Sequence, residues 1–287
     1  MPLDTQTFPI TRHWAAAALR EVPRNPEIFA TKSLSLARKT FLCGSVQRTA
    51  IKNWLSRGEL VAIGHGRSEL TELGRLMAAQ DERADRAWTW WLIHLHLCAS
   101  NDSFPYSAFF LKNDAEGLAW RSADQIVKES LVSVAAENNL DLAESSVSTY
   151  FAGVDNAFRP GKPLFDLGLI ERQDTDEGKR RLRRTLVKPA DVVTAYGTVL
   201  FHNSFFSDQT TVEARMLLER GIARALGIKD SQYRDALGRI TQHTTLGQVI
   251  EYRHQLNLDS VQFLKSGEAA LRAIRTQAYT SQEVRWP

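Results

Sequence analysis

The chain has 287 residues, of which 43% are hydrophobic and 24% are charged, as in a soluble globular protein with two or three small domains. Its 36 basic and 33 acidic side chains leave a net charge of only +3, which excludes a polycationic protein and restricts any nucleic-acid role to local clusters. The two cysteines, Cys43 and Cys98, indicate reduced thiols rather than a disulfide framework or a zinc site.

The N-terminus lacks the basic start and apolar core of a secretory signal peptide. The longest apolar stretch, AWTWWLIHLHLCA, is too short to span a bilayer and contains two histidines. We therefore expect a cytoplasmic protein that has no membrane-embedded segment.

Residues 1–82 are predicted to form a winged-helix-like DNA-binding unit. Helical spacing indicates two helices within residues 10–41 and a third over residues 45–56. A short hairpin around Gly64 and Gly66 follows, and Thr71 is a suitable N-cap for the next helix. Three helices followed by a hairpin are the element order of a winged helix.

The third helix has two distinct faces on a helical wheel. The apolar half consists of Val46, Ala50, Ile51, Trp54 and Leu55. The polar half carries the candidate DNA-contacting residues, which are Ser45, Arg48, Thr49, Lys52 and Asn53. Two cations and no carboxylate suit a helix in a DNA groove, where cations meet phosphates and neutral polar groups reach base edges. An ordinary solvated amphipathic helix is the alternative.

Residues 83–119 are predicted to be an aromatic-rich helical connector. Its rings either stack nucleic-acid bases or, as we favour, form a core between domains. His94 and His96 lie about 160° apart on a helix of 100° per residue, so they cannot share a metal ion there. We expect both histidines to be satisfied core residues.

Residues 120–188 are predicted to repeat the arrangement as a second winged-helix-like unit. Its second helix, SSVSTYFAGVDNAF, is followed by a strand, a turn and a returning strand. The turn GKRRLRR contributes a basic cluster that suits the phosphate backbone, namely Lys179, Arg180, Arg181, Arg183 and Arg184. Strand alternation places Arg181 and Arg183 on one side. The alternative is a solvated charged hairpin tip.

The sequence gives weaker support for metal ligands than for DNA-contacting residues. It has no phosphate-binding loop, dinucleotide fingerprint, HExxH motif or nucleophile elbow. Asp155 and Asp166 flank the second helix and precede its wing, and their oxygens suit Mg²⁺ if they face bound DNA. A structural role for both carboxylates is the alternative.

Residues 189–287 are predicted to form a helical C-terminal region, with breaks near Ser207, Gly227 and Asn257. The expected fold class is therefore mainly α, with two winged-helix-like units, small β-hairpin wings and this helical region.

An ordered set of segments resembles a known family. The segments are TQTFP, CGSVQRTAIKNWLSRGELV, LTELGRLM, RAWTWWLIHLHLCAS and PLFDLGLIE. They are similar to blocks of a bacterial domain family of unknown function that occurs beside the sulfur-transfer genes of DNA phosphorothioation defence systems. In this chain Thr5 and Gln6 replace the histidine and glutamate of the family's N-terminal motif.

The resemblance implies a protein that nicks one DNA strand with Mg²⁺, so that sulfur can enter the backbone. The implied partners are DNA, a cysteine desulfurase, an ATPase and a sulfur-transfer enzyme of the ATP-pyrophosphatase type. A non-catalytic DNA-binding subunit that recruits those enzymes is the rival hypothesis. In a third hypothesis, the C-terminal helices are a protein-docking platform and the basic patches are incidental.

Overall fold

The computed structural model describes residues 2–112, 118–174, 180–255, 258–265, 267–281, 284 and 286. In the N-terminal part, three helices precede a hairpin and a fourth helix. They are α1 (Arg12–Glu21), α2 (Leu34–Phe41), α3 (Ser45–Arg57), β1 (Val61–Gly64), β2 (Arg67–Leu70) and α4 (Glu72–Gln80). This is the element order expected from the sequence, and we call it the first unit.

Side-chain caps and a tight turn explain where these elements begin and end. Thr11 Oγ1 accepts a hydrogen bond from the backbone amide of Trp14, which starts α1. Thr71 Oγ1 accepts from the amide of Gly74 and starts α4, as predicted. His65 and Gly66 both have positive φ, at 50° and 77°, the backbone that a two-residue hairpin turn requires.

The aromatic-rich connector is part of the core. It contains α5 (Ala87–Ala99) and α6 (Tyr106–Leu111), whose tryptophans Trp88, Trp90 and Trp91 are all buried. α5 packs against α6 and against a long helix of the C-terminal part. The expected core role of these rings is confirmed. Because the rings are buried, they are not accessible for stacking on nucleic-acid bases. Among the described residues, no helix combines the length and apolarity needed to span a bilayer.

The second unit begins with a short strand. Its elements are β3 (Arg121–Ser122), α7 (Ala123–Ile126), a π-helical turn (Val127–Leu131), α8 (Val132–Glu137), α9 (Glu144–Ala157), β4 (Ile170–Asp174) and β5 (Arg180–Arg184). The three strands are antiparallel in the order β3-β5-β4. The helix–helix–hairpin order predicted from the sequence is therefore present, with an additional strand that covers one edge of the hairpin.

The C-terminal part contains a sheet that the sequence analysis missed. Its elements are α10 (Asp191–Phe205), β6 (Thr211–Glu213), α11 (Ala214–Glu219), α12 (Ile222–Ala225), α13 (Asp230–Gln242), β7 (Ile250–Gln255), β8 (Leu258–Phe263) and α14 (Gly267–Ser281). The region contains the helices that were expected, but it also contains β7 and β8, a hairpin that the sequence analysis did not predict.

This C-terminal sheet repeats the topology of the second unit. Its strand order is β6-β8-β7, so a leading strand again lies beside the last strand of a hairpin. In both units, helices separate the leading strand from the hairpin. The shared order indicates a third helix–hairpin unit over residues 211–263.

Candidate nucleic-acid interface

Helix α3 presents one buried and one polar face, as its sequence predicts. Ala50, Ile51, Trp54 and Leu55 are buried, and the indole Nε1 of Trp54 donates to the carbonyl of Phe8 at 2.8 Å. On the opposite side, three polar residues reach the surface, of which Ser45 and Thr49 are exposed and Lys52 is half-buried. These three side chains remain available for a phosphate or a base edge.

Two of the predicted contact residues are engaged within the protein. The guanidinium of Arg48 donates through Nη1 to the carbonyl of Ala30 at 2.8 Å. The amide of Asn53 donates through Nδ2 to the carbonyl of Asp4 at 2.5 Å. Both side chains therefore tie α3 to other segments, and contact of either with DNA stays a prediction.

Val46 does not follow the helical wheel. It was expected among the buried residues, yet its side chain is 55% exposed, because the first turn of α3 is not covered as Ala50 and Ile51 are. Leu42, at the turn before α3, is 78% exposed. Sequence reasoning missed this apolar pair. The periodicity of the helix does not show how far neighbouring elements cover its first turn, so the sequence offered no signal for this exposure.

The N-terminal segment, residues 4–8, connects α3 with α9 of the second unit. Asn53 of α3 bonds the carbonyl of Asp4, and Asn156 of α9 donates through Nδ2 to the carbonyl of Thr7 at 2.6 Å. Thr5 lies between them, fully buried. The segment that carries the TQTFP motif therefore fixes the spacing of the two helices.

The two predicted metal ligands are both held by arginines. Asp155 accepts from both Nη1 and Nη2 of Arg172, at 2.6 and 3.4 Å, and the pair is only 12% and 10% exposed. Asp166 pairs with Arg12 at 2.8 Å. In the part of the chain that the structure describes, no three histidine, cysteine or acidic side chains form a group suited to a metal ion.

These contacts do not fit a magnesium site. Mg²⁺ needs several oxygen ligands in near-octahedral geometry, and a guanidinium at the carboxylate competes with the cation for the same oxygens. We therefore derive no cutting step from Asp155 or Asp166.

The hairpin of the second unit exposes part of its basic cluster. Arg180 and Arg181 are exposed, and Arg183 lies on the same face as Arg181, as strand alternation predicts. Arg184 is buried and donates through Nη1 to the carbonyl of Phe110 at 2.6 Å, so it points into the protein. Lys179 lies outside the described residues.

Arg183 is oriented by two neighbours. Its Nε donates to a carboxylate oxygen of Glu171, its cross-strand partner, at 2.8 Å. Its guanidinium carbon lies 4.7 Å from the centroid of the Trp120 ring, a cation–π geometry. Trp120 is half-buried and was not singled out from the sequence. A basic and aromatic surface of this kind suits a nucleic-acid strand.

Of the two histidines of the connector, His94 is buried, as expected, and His96 is half-buried. His94 Nε2 donates to the carbonyl of Ala225 at 2.7 Å, and the Tyr106 hydroxyl donates to Nδ1 at 2.7 Å. Burial lowers the pKa of His94 to about 4, so the ring is neutral at pH 7. Burial and the nearby Arg275 lower the pKa of His96 to about 3. The two cysteines are also buried and free.

The third helix–hairpin unit differs in its electrostatics. A groove of about 920 Å³ is lined by residues of α13 and β7, including three arginines. All three are paired with carboxylates: Arg234 with Asp259 at 2.9 Å, Arg239 with Asp191 at 2.7 Å and Arg253 with Glu251 at 3.0 Å. This groove therefore lacks the uncompensated positive charge that phosphates attract.

The whole fold is similar to solved structures of SspB. One, described as "Magnesium ion-bound SspB crystal structure", has a TM-score of 0.74 and 18% sequence identity, and the match covers 97% of this chain and 88% of that chain. A second, described as "SspB crystal structure", has a TM-score of 0.74 and 16% identity, with the same coverage of both chains.

No curated protein matches the chain. A family model described as "Protein of unknown function (DUF4007)" matches residues 4–279. Since that match spans nearly the whole length, the protein belongs to the DUF4007 family.

Proposed function

We propose that this protein is the DNA-binding component of a bacterial DNA phosphorothioation system, an anti-phage defence, and that it acts in the cytoplasm. The first and second units act as winged helices. α3 approaches the duplex through Ser45, Thr49 and Lys52, and the β4–β5 hairpin contacts phosphates through Arg180, Arg181 and Arg183. The proposal about the system rests on the ordered motifs that resemble the phosphorothioation family.

The observation that carries DNA binding is the charge distribution around α3. Residues 28–58 contain six cations and no aspartate or glutamate, although the whole chain is almost neutral. The cations are Lys32, Arg38, Lys39, Arg48, Lys52 and Arg57. Lys32 and Arg57 form ion pairs with Glu27 and Asp102, so Arg38, Lys39, Arg48 and Lys52 make up the local excess. A local excess of this kind on a helix–turn–helix attracts the phosphate backbone through release of condensed counterions.

The test compares unpaired cations with paired ones. Binding of labelled duplex DNA is measured by fluorescence anisotropy at several salt concentrations, with the K52A/R181A protein beside the unsubstituted one. Among the described residues, neither Lys52 nor Arg181 has an ion-pair partner. The matched control is R24A/R215A, because both control arginines are exposed and paired, with Glu21 and Glu213 respectively.

We expect the K52A/R181A protein to bind more weakly at every salt concentration. The slope of log affinity against log salt should fall by about one for each lost phosphate contact, and the control should keep the original slope. Equal losses in both double variants, or no salt-dependent binding by the unsubstituted protein, would contradict the proposal and favour the protein-docking hypothesis.

Strand nicking is the second candidate function. It is supported by the motif resemblance and by a similar fold whose description includes a magnesium ion. Supercoiled plasmid is incubated with the protein in Mg²⁺ or in EDTA, alone and with the cysteine desulfurase, the ATPase and the sulfur-transfer enzyme. Open circles that form only with Mg²⁺ would establish a nickase, whereas binding without nicking in every mixture would establish the recruiting subunit.

A further inference from the structure

The turn between α2 and α3 exposes two large apolar side chains. Leu42 is 78% exposed, the highest value among the exposed large apolar side chains of the described residues, and Val46 is 55% exposed. We call these two residues the apolar tip. Single exposed apolar residues are common, but neighbouring ones that face water together form a surface suited to a binding partner.

The backbone holds Leu42 outward. It adopts the left-handed conformation, with φ 51° and ψ 47°, a position that helix ends usually give to glycine. Both neighbours anchor the turn: Phe41 is buried and stacks on Phe29 with ring centroids 5.4 Å apart, and Cys43 is also buried. A leucine kept in this strained conformation, away from the core, is typical of a functional contact.

The start of α3 is also fixed in place. The amide of Gly44 donates to Oε1 of Gln47 at 2.7 Å, so the first turn of the helix is capped. Val46 is the second residue of this helix. In helix–turn–helix proteins, the first residues of the recognition helix meet the base edges. Val46 therefore occupies a position from which it can contact a base.

The surrounding charge selects the kind of partner. Arg38 and Lys39 are exposed at the end of α2, Lys52 lies further along α3, and residues 28–58 contain no carboxylate. A surface of this charge is complementary to a phosphate backbone. Leu258 of the third unit and Leu264 just after it are exposed as well, but the arginines lining that unit's groove are neutralised by carboxylates.

We propose that the apolar tip contacts bases in the major groove, with Val46 packed against the C5-methyl group of thymine. This inference rests on the proposed DNA binding and adds a source of sequence preference to it. Thymine is the only base that presents a methyl group in the major groove, and apolar side chains recognise it there. The neighbouring cations hold the phosphates on either side, and Leu42 covers the adjoining base or sugar.

The test removes the methyl group from the DNA and the valine from the protein. Two duplexes of the same A·T-rich sequence are compared, one with thymine and one with deoxyuridine in its place. The proteins are the unsubstituted chain, V46S, L42N and the control L264A. Asparagine is chosen at position 42 because it tolerates the left-handed backbone. Leu264, which directly follows the third unit, is 48% exposed, which makes it a matched apolar control.

The unsubstituted protein should bind the thymine duplex about fourfold more tightly than the deoxyuridine duplex, the factor that corresponds to one buried methyl group. V46S should bind both duplexes equally, L42N should bind both more weakly, and L264A should behave as the unsubstituted chain. Thermal melting of each variant verifies that its fold is intact.

The outcomes separate this inference from the proposed function. If DNA binding is salt-dependent but the thymine preference is absent, or persists in V46S, the inference is overturned and DNA binding stands. If L42N or V46S changes only the molecular mass measured by light scattering, the tip is a contact between copies of the chain. If the unsubstituted protein does not bind DNA, both proposals fail together.

Discussion

Gly153 of α9 lies directly against Thr5 of the N-terminal segment. A Cβ atom at position 153 would come within 2.1 Å of Thr5 Oγ1 and 2.7 Å of the carbonyl oxygen of Gln6. Because Asn53 and Asn156 hold the same segment from α3 and α9, this close approach fixes the spacing of the two helices. The first prediction concerns this contact.

Gly153→Ala should destabilise the protein by about 1–3 kcal/mol, the usual cost of overpacking, although alanine favours a helix interior over glycine. The control is Gly238→Ala in α13, where a Cβ would meet no atom within 4 Å. That variant should be more stable by up to about 1 kcal/mol. Urea denaturation measures both changes, and a stabilised Gly153→Ala protein would show that the segment is not packed as described.

The second prediction separates the structural role of Asp155 from metal binding. Asp155→Ala leaves the guanidinium of Arg172 buried without its partner, and it should cost about 3–5 kcal/mol of stability. The half-exposed pair between Asp166 and Arg12 is worth much less, so Asp166→Ala should cost about 1 kcal/mol or less. Neither variant should change the affinity for Mg²⁺ measured by isothermal titration calorimetry. A lost Mg²⁺ signal with unchanged stability would restore the carboxylates as ligands.

A third prediction concerns the basic hairpin of the second unit. Glu171→Gln removes a carboxylate beside the proposed phosphate path and releases Arg183 from its ion pair. We expect tighter binding to duplex DNA, by about threefold to tenfold, and a steeper salt dependence by about one unit. Fluorescence anisotropy measures both quantities. Glu213→Gln, at an exposed ion pair of the third unit, is the control and should leave both unchanged.

The fourth prediction concerns pH. His94 has a pKa lowered to about 4 in the folded protein, whereas an unfolded histidine titrates near 6.5. Between these values the unfolded chain binds a proton that the folded chain does not. The free energy of unfolding therefore has its full value above about pH 6.5. It decreases as the pH falls towards 4, by about 1.4 kcal/mol per pH unit for each such histidine.

Urea denaturation at pH 6 and pH 5 tests this effect. His96, whose pKa is also lowered, adds a similar contribution, so His94→Gln should remove about half of the pH dependence. His254→Gln is the control, since His254 is exposed, and it should keep the full dependence. An unchanged slope in His94→Gln would mean that the ring is not buried in its neutral form.

Local patterns in the sequence predicted much of the first two units. The cap at Thr71, the buried half of α3 around Trp54, and the shared face of Arg181 and Arg183 all depend on residues within a few positions of one another. Helical and strand periodicity are properties of such short segments, so they can be derived without knowledge of the fold.

The exceptions arise from contacts between distant segments. Asp166 and Arg12 are separated by 154 positions, and Asn53 reaches Asp4 across 49 positions. Arg184 was expected at the surface, but α6 supplies a carbonyl acceptor for it inside the protein. No periodicity in one segment reveals which group another segment will bring to it.

The sequence by itself determined the helical units, the acid-free basic stretch and the family resemblance, because composition and short-range periodicity contain that information. Only the tertiary structure decided which polar groups remain free for a ligand and which apolar ones stay uncovered. Val46 and Ala50 share one face of α3, yet the packing of neighbouring elements buries Ala50 and leaves Val46 in water. Burial depends on what covers a side chain, and that is a property of the assembled chain.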